Sequence, residues 1–125
     1  MRVALLSAAI VVVGLMAAGV SAAVPARYAK LCKPITGPRW TVHGGASGNR
    51  YQVAVFNYSC ATATRYVKKL YVRRSAGAKA VLPGAPRGYV CKATAPKGRK
   101  AYQGVCRRKR GASLLAAFAW APRRS

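Results

Sequence analysis

Leu114, Ala116, Phe118 and Trp120 alternate with small residues near the end of the chain, the period of a strand that follows a turn at Arg110-Gly111. Tyr51-Gln52-Val53-Ala54-Val55-Phe56 is rich in β-formers and bounded by turn formers, which predicts a second strand. Just beyond it the period changes. Ser59 is a good helix N-cap, and Cys60, Ala63, Val67 and Leu70 recur at helical spacing while Arg65, Lys68 and Lys69 point elsewhere.

Three shorter strands complete the reading. One lies within Tyr28 to Ile35, around Leu31 and Cys32. Tyr89 to Thr94 and Ala101 to Arg107 are two more, joined by the turn Pro96-Lys97-Gly98-Arg99. Tyr89, Cys91 and Ala93 share a face of the first, and Tyr102, Gly104 and Cys106 a face of the second, so both cysteines can point to the core. Thr36 to Arg50 (Gly37, Pro38, Gly44, Gly45, Gly48) and Ser75 to Gly88 read as loops, the former with a poorly ordered hairpin as its alternative. The expected fold class is therefore α+β: one main helix packed on a small antiparallel sheet of four or five strands, held by two disulfides. No internal repeat is visible.

The first residues belong to export rather than to the fold. Met1-Arg2 is a short positive start, Val3 to Val20 is apolar, and Val20-Ser21-Ala22-Ala23 offers a small-residue cleavage site before Val24-Pro25. Residues 1–22 are expected to be a signal peptide, with an uncleaved signal anchor as the rival because Val3 to Val24 carries no charge. Residues 23–125 then form a single small domain, secreted or held at the cell surface.

Charge narrows the chemistry. Lysine and arginine number 23 in 125 residues, and aspartate and glutamate are absent. A chain without side-chain carboxylates cannot build a glycosidase acid pair, an Asp-oriented triad or an oxygen-ligated calcium site. Nor can it neutralise its cations internally, so they face water or an external anion. The four cysteines, Cys32, Cys60, Cys91 and Cys106, lie in the exported part. An even count in a small exported chain predicts two disulfides, and no C-x-x-C supports zinc. Of the three connectivities, Cys32–Cys60 and Cys91–Cys106 are preferred because each pair is adjacent in sequence.

Ser59-Cys60-Ala61-Thr62-Ala63 opening a helix, Gly88-Tyr89-Val90-Cys91, then Cys106 and a terminal apolar strand resemble a pattern in small exported proteins of actinobacterial type. The similarity covers roughly Val53 to Trp120. Thr64 stands where that pattern has Arg, with Arg65 one place later. The resemblance implies export, disulfides and an α+β domain; it implies no activity, since such proteins are of unknown function.

Catalytic candidates are few. His43 is the single histidine, with Ser47 near it and Asn49 or a backbone carbonyl to orient it, but a histidine in Thr41-Val42-His43-Gly44-Gly45 reads as a surface loop residue. Gly44-Gly45-Ala46-Ser47-Gly48 lacks the lysine and helix of a phosphate-binding loop. The chain is expected to be no enzyme and to need no cofactor or metal. Binding fits better. Cations cluster at Lys68-Lys69, Arg73-Arg74, Lys97 with Arg99-Lys100, and Arg107-Arg108-Lys109-Arg110, the last group expected in a turn. Tyr58, Tyr66, Tyr71, Tyr89, Tyr102 and Trp40 interleave aromatics with them, although strand tyrosines more commonly serve the core. The expected partners are anionic polymers bound with little selectivity: wall polymers, acidic lipids or extracellular DNA. A membrane-active protein using the cationic helix, and a protease inhibitor presenting Arg87 on loop 82–88, are the alternatives.

Overall fold

The computed structural model describes residues 29–41, 45–77, 80–95 and 97–124. The segment 1–22 expected to be a signal peptide, its expected cleavage site, Pro96 and His43 lie outside the described residues. Among these described residues, seven strands and one helix follow in the order β1 (Lys30–Leu31), β2 (Ile35–Thr41), β3 (Ser47–Phe56), α1 (Cys60–Leu70), β4 (Val81–Leu82), β5 (Val90–Ala93), β6 (Gly104–Arg110) and β7 (Ser113–Pro122). All pairings are antiparallel, in the order β1-β3-β7-β6-β5-β4, and β2 shares with β1 the outer edge of β3.

This is a mainly-β fold, and the expected α+β class, one main helix packed on a small antiparallel sheet of four or five strands, is incorrect: 49% of the described residues are in strand and 12% in helix. Two physical features account for the miss. The first is the use of glycine. Gly37 and Gly48, in the stretch expected to be a loop or a poorly ordered hairpin, lie inside the paired strands β2 and β3. A β-carbon on Gly37 would stand 2.5 Å from the Tyr71 ring and one on Gly48 2.7 Å from the Trp40 indole. Here glycine gives an aromatic ring room to lie against the strand rather than making a turn. The second is burial on both sides of the sheet. Tyr51, Val53, Val55, Phe118 and Trp120 face the helix in the main core, while Ala54, Val105, Ala117, Ala119 and Ala121 form a second buried cluster. With both faces of β3 and β7 buried, the sheet carries core on both sides, and only one of those faces is covered by the helix.

The helix is as expected. The Ser59 hydroxyl accepts from the Thr62 N–H at 3.0 Å, and Ala63, Val67 and Leu70 are buried. Lys68 and Lys69 occupy its last turn, where the helix dipole favours positive charge. Buried polar groups of the core are satisfied across the sheet. Trp120 Nε1 donates to the Ala101 carbonyl at 2.7 Å, Tyr51 Oη to Pro38 at 2.7 Å and Gln52 Nε2 to Cys32 at 2.8 Å.

Both disulfides are present, Cys32–Cys60 and Cys91–Cys106, with no free cysteine among the described residues. The first ties the end of β1 to the first residue of α1. The second joins directly opposed residues of β5 and β6. With sequence separations of 28 and 15, the chain-entropy relation gives about 3.5 and about 3 kcal/mol of stabilisation.

Two connections differ from expectation, and both affect the charge distribution. The connection between β5 and β6 runs over 94–103, longer than the four-residue turn expected at Pro96–Arg99, because β5 ends at Ala93 and β6 begins only at Gly104. It pairs with the residues after the helix: Ser75 N–H donates to Arg99 at 2.8 Å, Gly98 N–H to Ser75 at 2.7 Å and Ala101 N–H to Arg73 at 2.8 Å. Arg107 to Arg110 are not a turn either. They form the second half of β6, and the β6–β7 turn is Gly111-Ala112, with Gly111 at φ 58°.

Candidate anion-binding surface

The excursion at 94–103 brings two sequence-distant cation clusters together. Pairing of 73–75 with 98–101 sets Arg73 and Arg74 beside Arg99 and Lys100, with Lys97 at the tip and Lys68 and Lys69 on the preceding helical turn. Arg74 Nη1 donates to the Gly98 carbonyl at 2.6 Å, which fixes the junction. The Arg73 guanidinium rests over Gly84, 3.5 Å from where a β-carbon would stand. Lys69 Nζ sits 5.5 Å from the centre of the Tyr66 ring, a cation–π contact. Apart from half-buried Lys100, these cations are exposed. Of the sequence-predicted binding residues, Arg73 and Arg74 are thereby joined to Arg99 and Lys100, and Lys68 and Lys69 precede them in the last turn of α1.

The other four do not form a single patch. Strand alternation sends Arg107 and Arg108 to opposite faces, and a register shift between Arg108 and Lys109 breaks the alternation beyond them. Arg107 is half-buried, paired across the sheet with Val90 and Ala117. Arg108 lies on the helix side, hydrogen-bonded to Tyr89. Lys109 and Arg110 are exposed at the hairpin end.

The aromatic residues divide in the same way. Trp40, Tyr51 and Tyr71 are core; Tyr58, Tyr66, Tyr89 and Tyr102 are half-buried. Tyr58 stacks on Phe118 with centroids 5.1 Å apart and planes 12° from parallel, and Tyr89 lies 5.3 Å from Tyr58. Burial pushes the Tyr58 phenol above its ordinary value, and neighbouring Tyr89 and Tyr66 add to this while Arg65 opposes it. Burial likewise raises Tyr89, against the charge and hydrogen bond of Arg108. This cluster extends the core to the surface, rimmed by Arg65, Lys69 and Arg108.

A further cationic feature went unread in the sequence. A cleft of about 200 Å³ opens between the β2–β3 hairpin and the C-terminal residues, lined by Trp40, Ala46, Ser47, Gly48, Asn49, Arg50, Arg123 and Arg124. Register assembles it: Tyr51 pairs with Pro122, so Arg50 and Arg123 face each other one step on, and the Arg123 N–H donates to the Arg50 carbonyl at 2.8 Å. The only sequence signal was Arg123-Arg124 after a β-strand, which becomes informative once the partner strand is known.

Among the described residues no group of histidine or cysteine side chains could hold a metal, and no helix is long and apolar enough to cross a membrane. Comparison with protein-family models, curated proteins and solved structures finds no match.

Proposed function

We propose that this chain is an exported, non-catalytic domain that binds anionic polymers, of the kind found at a cell envelope or outside the cell, through the face formed by Lys68, Lys69, Arg73, Arg74, Lys97, Arg99 and Lys100. One observation supports the reading: the backbone pairing of 73–75 with 98–101 brings Arg73 and Arg74 beside Arg99 and Lys100, with Lys97, Lys68 and Lys69 on the adjoining segments, in a chain with no side-chain carboxylate to neutralise them. Such an arrangement costs self-repulsion in the free protein and is relieved by a polyanion, whose condensed counterions are released on binding. The two disulfides fit an oxidising compartment.

The position of the helix favours polymer binding over membrane insertion. Ala63, Val67 and Leu70, the apolar side that an inserting helix would offer to lipid, are committed to the core. The test is elution of the exported protein from phosphate-polymer, DNA and anionic-lipid supports over a salt series. Binding to several of them, each strongly salt-sensitive, supports the reading; no retention at low ionic strength refutes it.

A further inference from the structure

The cleft between the β2–β3 hairpin and the C-terminal residues has a different character from the open cationic face, and none of that face's seven residues lines it. We infer that it is a separate binding site for a single compact phosphate group, either a free ion or the terminal phosphate ester of a longer molecule.

Size is the first argument. About 200 Å³ equals roughly six or seven waters at ~30 Å³ each. That is room for one phosphate with part of its hydration or an attached sugar. Donor inventory is the second. Arg50, Arg123 and Arg124 supply guanidinium groups, and Ser47 and Asn49 add a hydroxyl and an amide. A fourth arginine braces the same wall, Arg39 Nη2 donating to Ser47 Oγ at 2.8 Å. The Arg50 carbonyl, an acceptor that would repel an anion, is already engaged by two donors, Trp40 Nε1 and the Arg123 N–H, each at 2.8 Å. What remains is a set of donors with fork geometry suited to phosphate oxygens.

Rigidity is the third argument. Trp40 is 1% exposed and Gly48 lies flat against its indole, so a packed ring backs the cleft. The C-terminal arginines are fastened to β3 by the Arg123–Arg50 hydrogen bond and the β3–β7 ladder beneath it. Strand register thus sets Arg50 and Arg123 opposite one another, in a chain with no aspartate or glutamate to compensate them.

The full exported protein is titrated with inorganic phosphate while its amide and indole N–H resonances are followed. Saturable shifts at Ser47, Asn49, Arg50, Arg123 and the Trp40 indole are expected, and Arg123→Gln with Arg124→Gln weakens the phosphate affinity tenfold or more. The variant Lys68→Gln/Lys97→Gln/Arg99→Gln leaves it unchanged, so failure of the polymer face and failure of the cleft are read separately. A 5′-phosphorylated oligonucleotide that binds more tightly than its 5′-hydroxyl form, with the difference lost in the Arg123/Arg124 variant, assigns a terminal ester; phosphate binding without that difference assigns the free ion. Shifts spread evenly over all basic residues, or an affinity indifferent to the Arg123/Arg124 change, overturn the inference. Native-like spectra of the double variant keep loss of fold from being mistaken for loss of the site.

Discussion

Replacing Lys68, Lys97 and Arg99 together by glutamine should flatten the salt dependence of polyanion binding by a calculable amount. All three side chains are exposed, and none holds another residue in place, unlike Arg74, which anchors Gly98. Each phosphate contact on duplex DNA adds about −0.9 to the slope of log K against log salt, so seven contacts give about −6. Affinity then falls several thousand-fold between about 50 and about 200 mM salt. With four contacts left the slope is about −3.6, and the loss over the same interval is on the order of 150-fold. Fluorescence anisotropy of a labelled duplex at five or six salt concentrations measures both lines. A parallel variant, Lys109→Gln/Arg110→Gln, locates the contacts, since these residues lie at the β6–β7 hairpin end. A triple-variant slope equal to that of the parent, or an equal flattening in both variants, refutes the assignment of binding to the face joined by 73–75 and 98–101.

Two structural predictions accompany it. Non-reducing peptide mapping should recover Cys32–Cys60 and Cys91–Cys106, and Cys32→Ala/Cys60→Ala should lower stability by about 3.5 kcal/mol from its 28-residue separation, read by urea denaturation. Gly104→Ala should cost more than an ordinary surface glycine change, about 1–3 kcal/mol, because its β-carbon would meet the Trp120 ring at 2.5 Å and the Lys92 carbonyl at 2.8 Å; a thermal midpoint equal to the parent's contradicts this.

The helix, its Ser59 cap, the Tyr51–Phe56 and Leu114–Trp120 strands and the disulfide pairs could all be read in the sequence, because each rests on local spacing. The dominance of sheet could not. Gly37 and Gly48 look like turn residues until the Tyr71 and Trp40 rings are placed against them, and those contacts span 34 and 8 positions of sequence. The alternation Ala117-Phe118-Ala119-Trp120-Ala121 was visible, but its alanine side reads as the exposed face of a strand; only the structure shows that it is buried. For the proposed binding surface, composition gives the sign of the ligand it would take, and the lysine and arginine runs give its residues but not their grouping. Joining Arg73-Arg74 to Arg99-Lys100 required knowing where the 94–103 excursion lies. Arg107 to Arg110 illustrate the opposite error: four consecutive cations look like one patch, yet a strand distributes them between two faces.

Missing carboxylates give this fold an unusual response to pH. Acid unfolding of ordinary proteins comes chiefly from carboxylates that are paired in the native state and must take up protons as pH falls below about 5. Here no aspartate or glutamate exists to be protonated, and the cations are already charged at neutral pH, so acid adds little further repulsion. Stability should be nearly level from pH 5 to about pH 2, where carboxylate-bearing domains fail. The alkaline side is different. Burial raises the phenols of Tyr51, Tyr58, Tyr71 and Tyr89 above their ordinary value of 10.0. A raised folded-state value means that the native state retains protons which the unfolded chain has released, so the stabilisation is complete below about pH 10 and declines as pH rises beyond it. For a fully buried phenol the decline is about 1.4 kcal/mol per pH unit within that window, and less for the half-buried Tyr58 and Tyr89. Urea midpoints followed by near-ultraviolet circular dichroism at 0.5 M salt should therefore hold from pH 2 to 9 and then drop. A steep loss between pH 5 and 2 would show that something other than carboxylate titration controls acid stability in this chain.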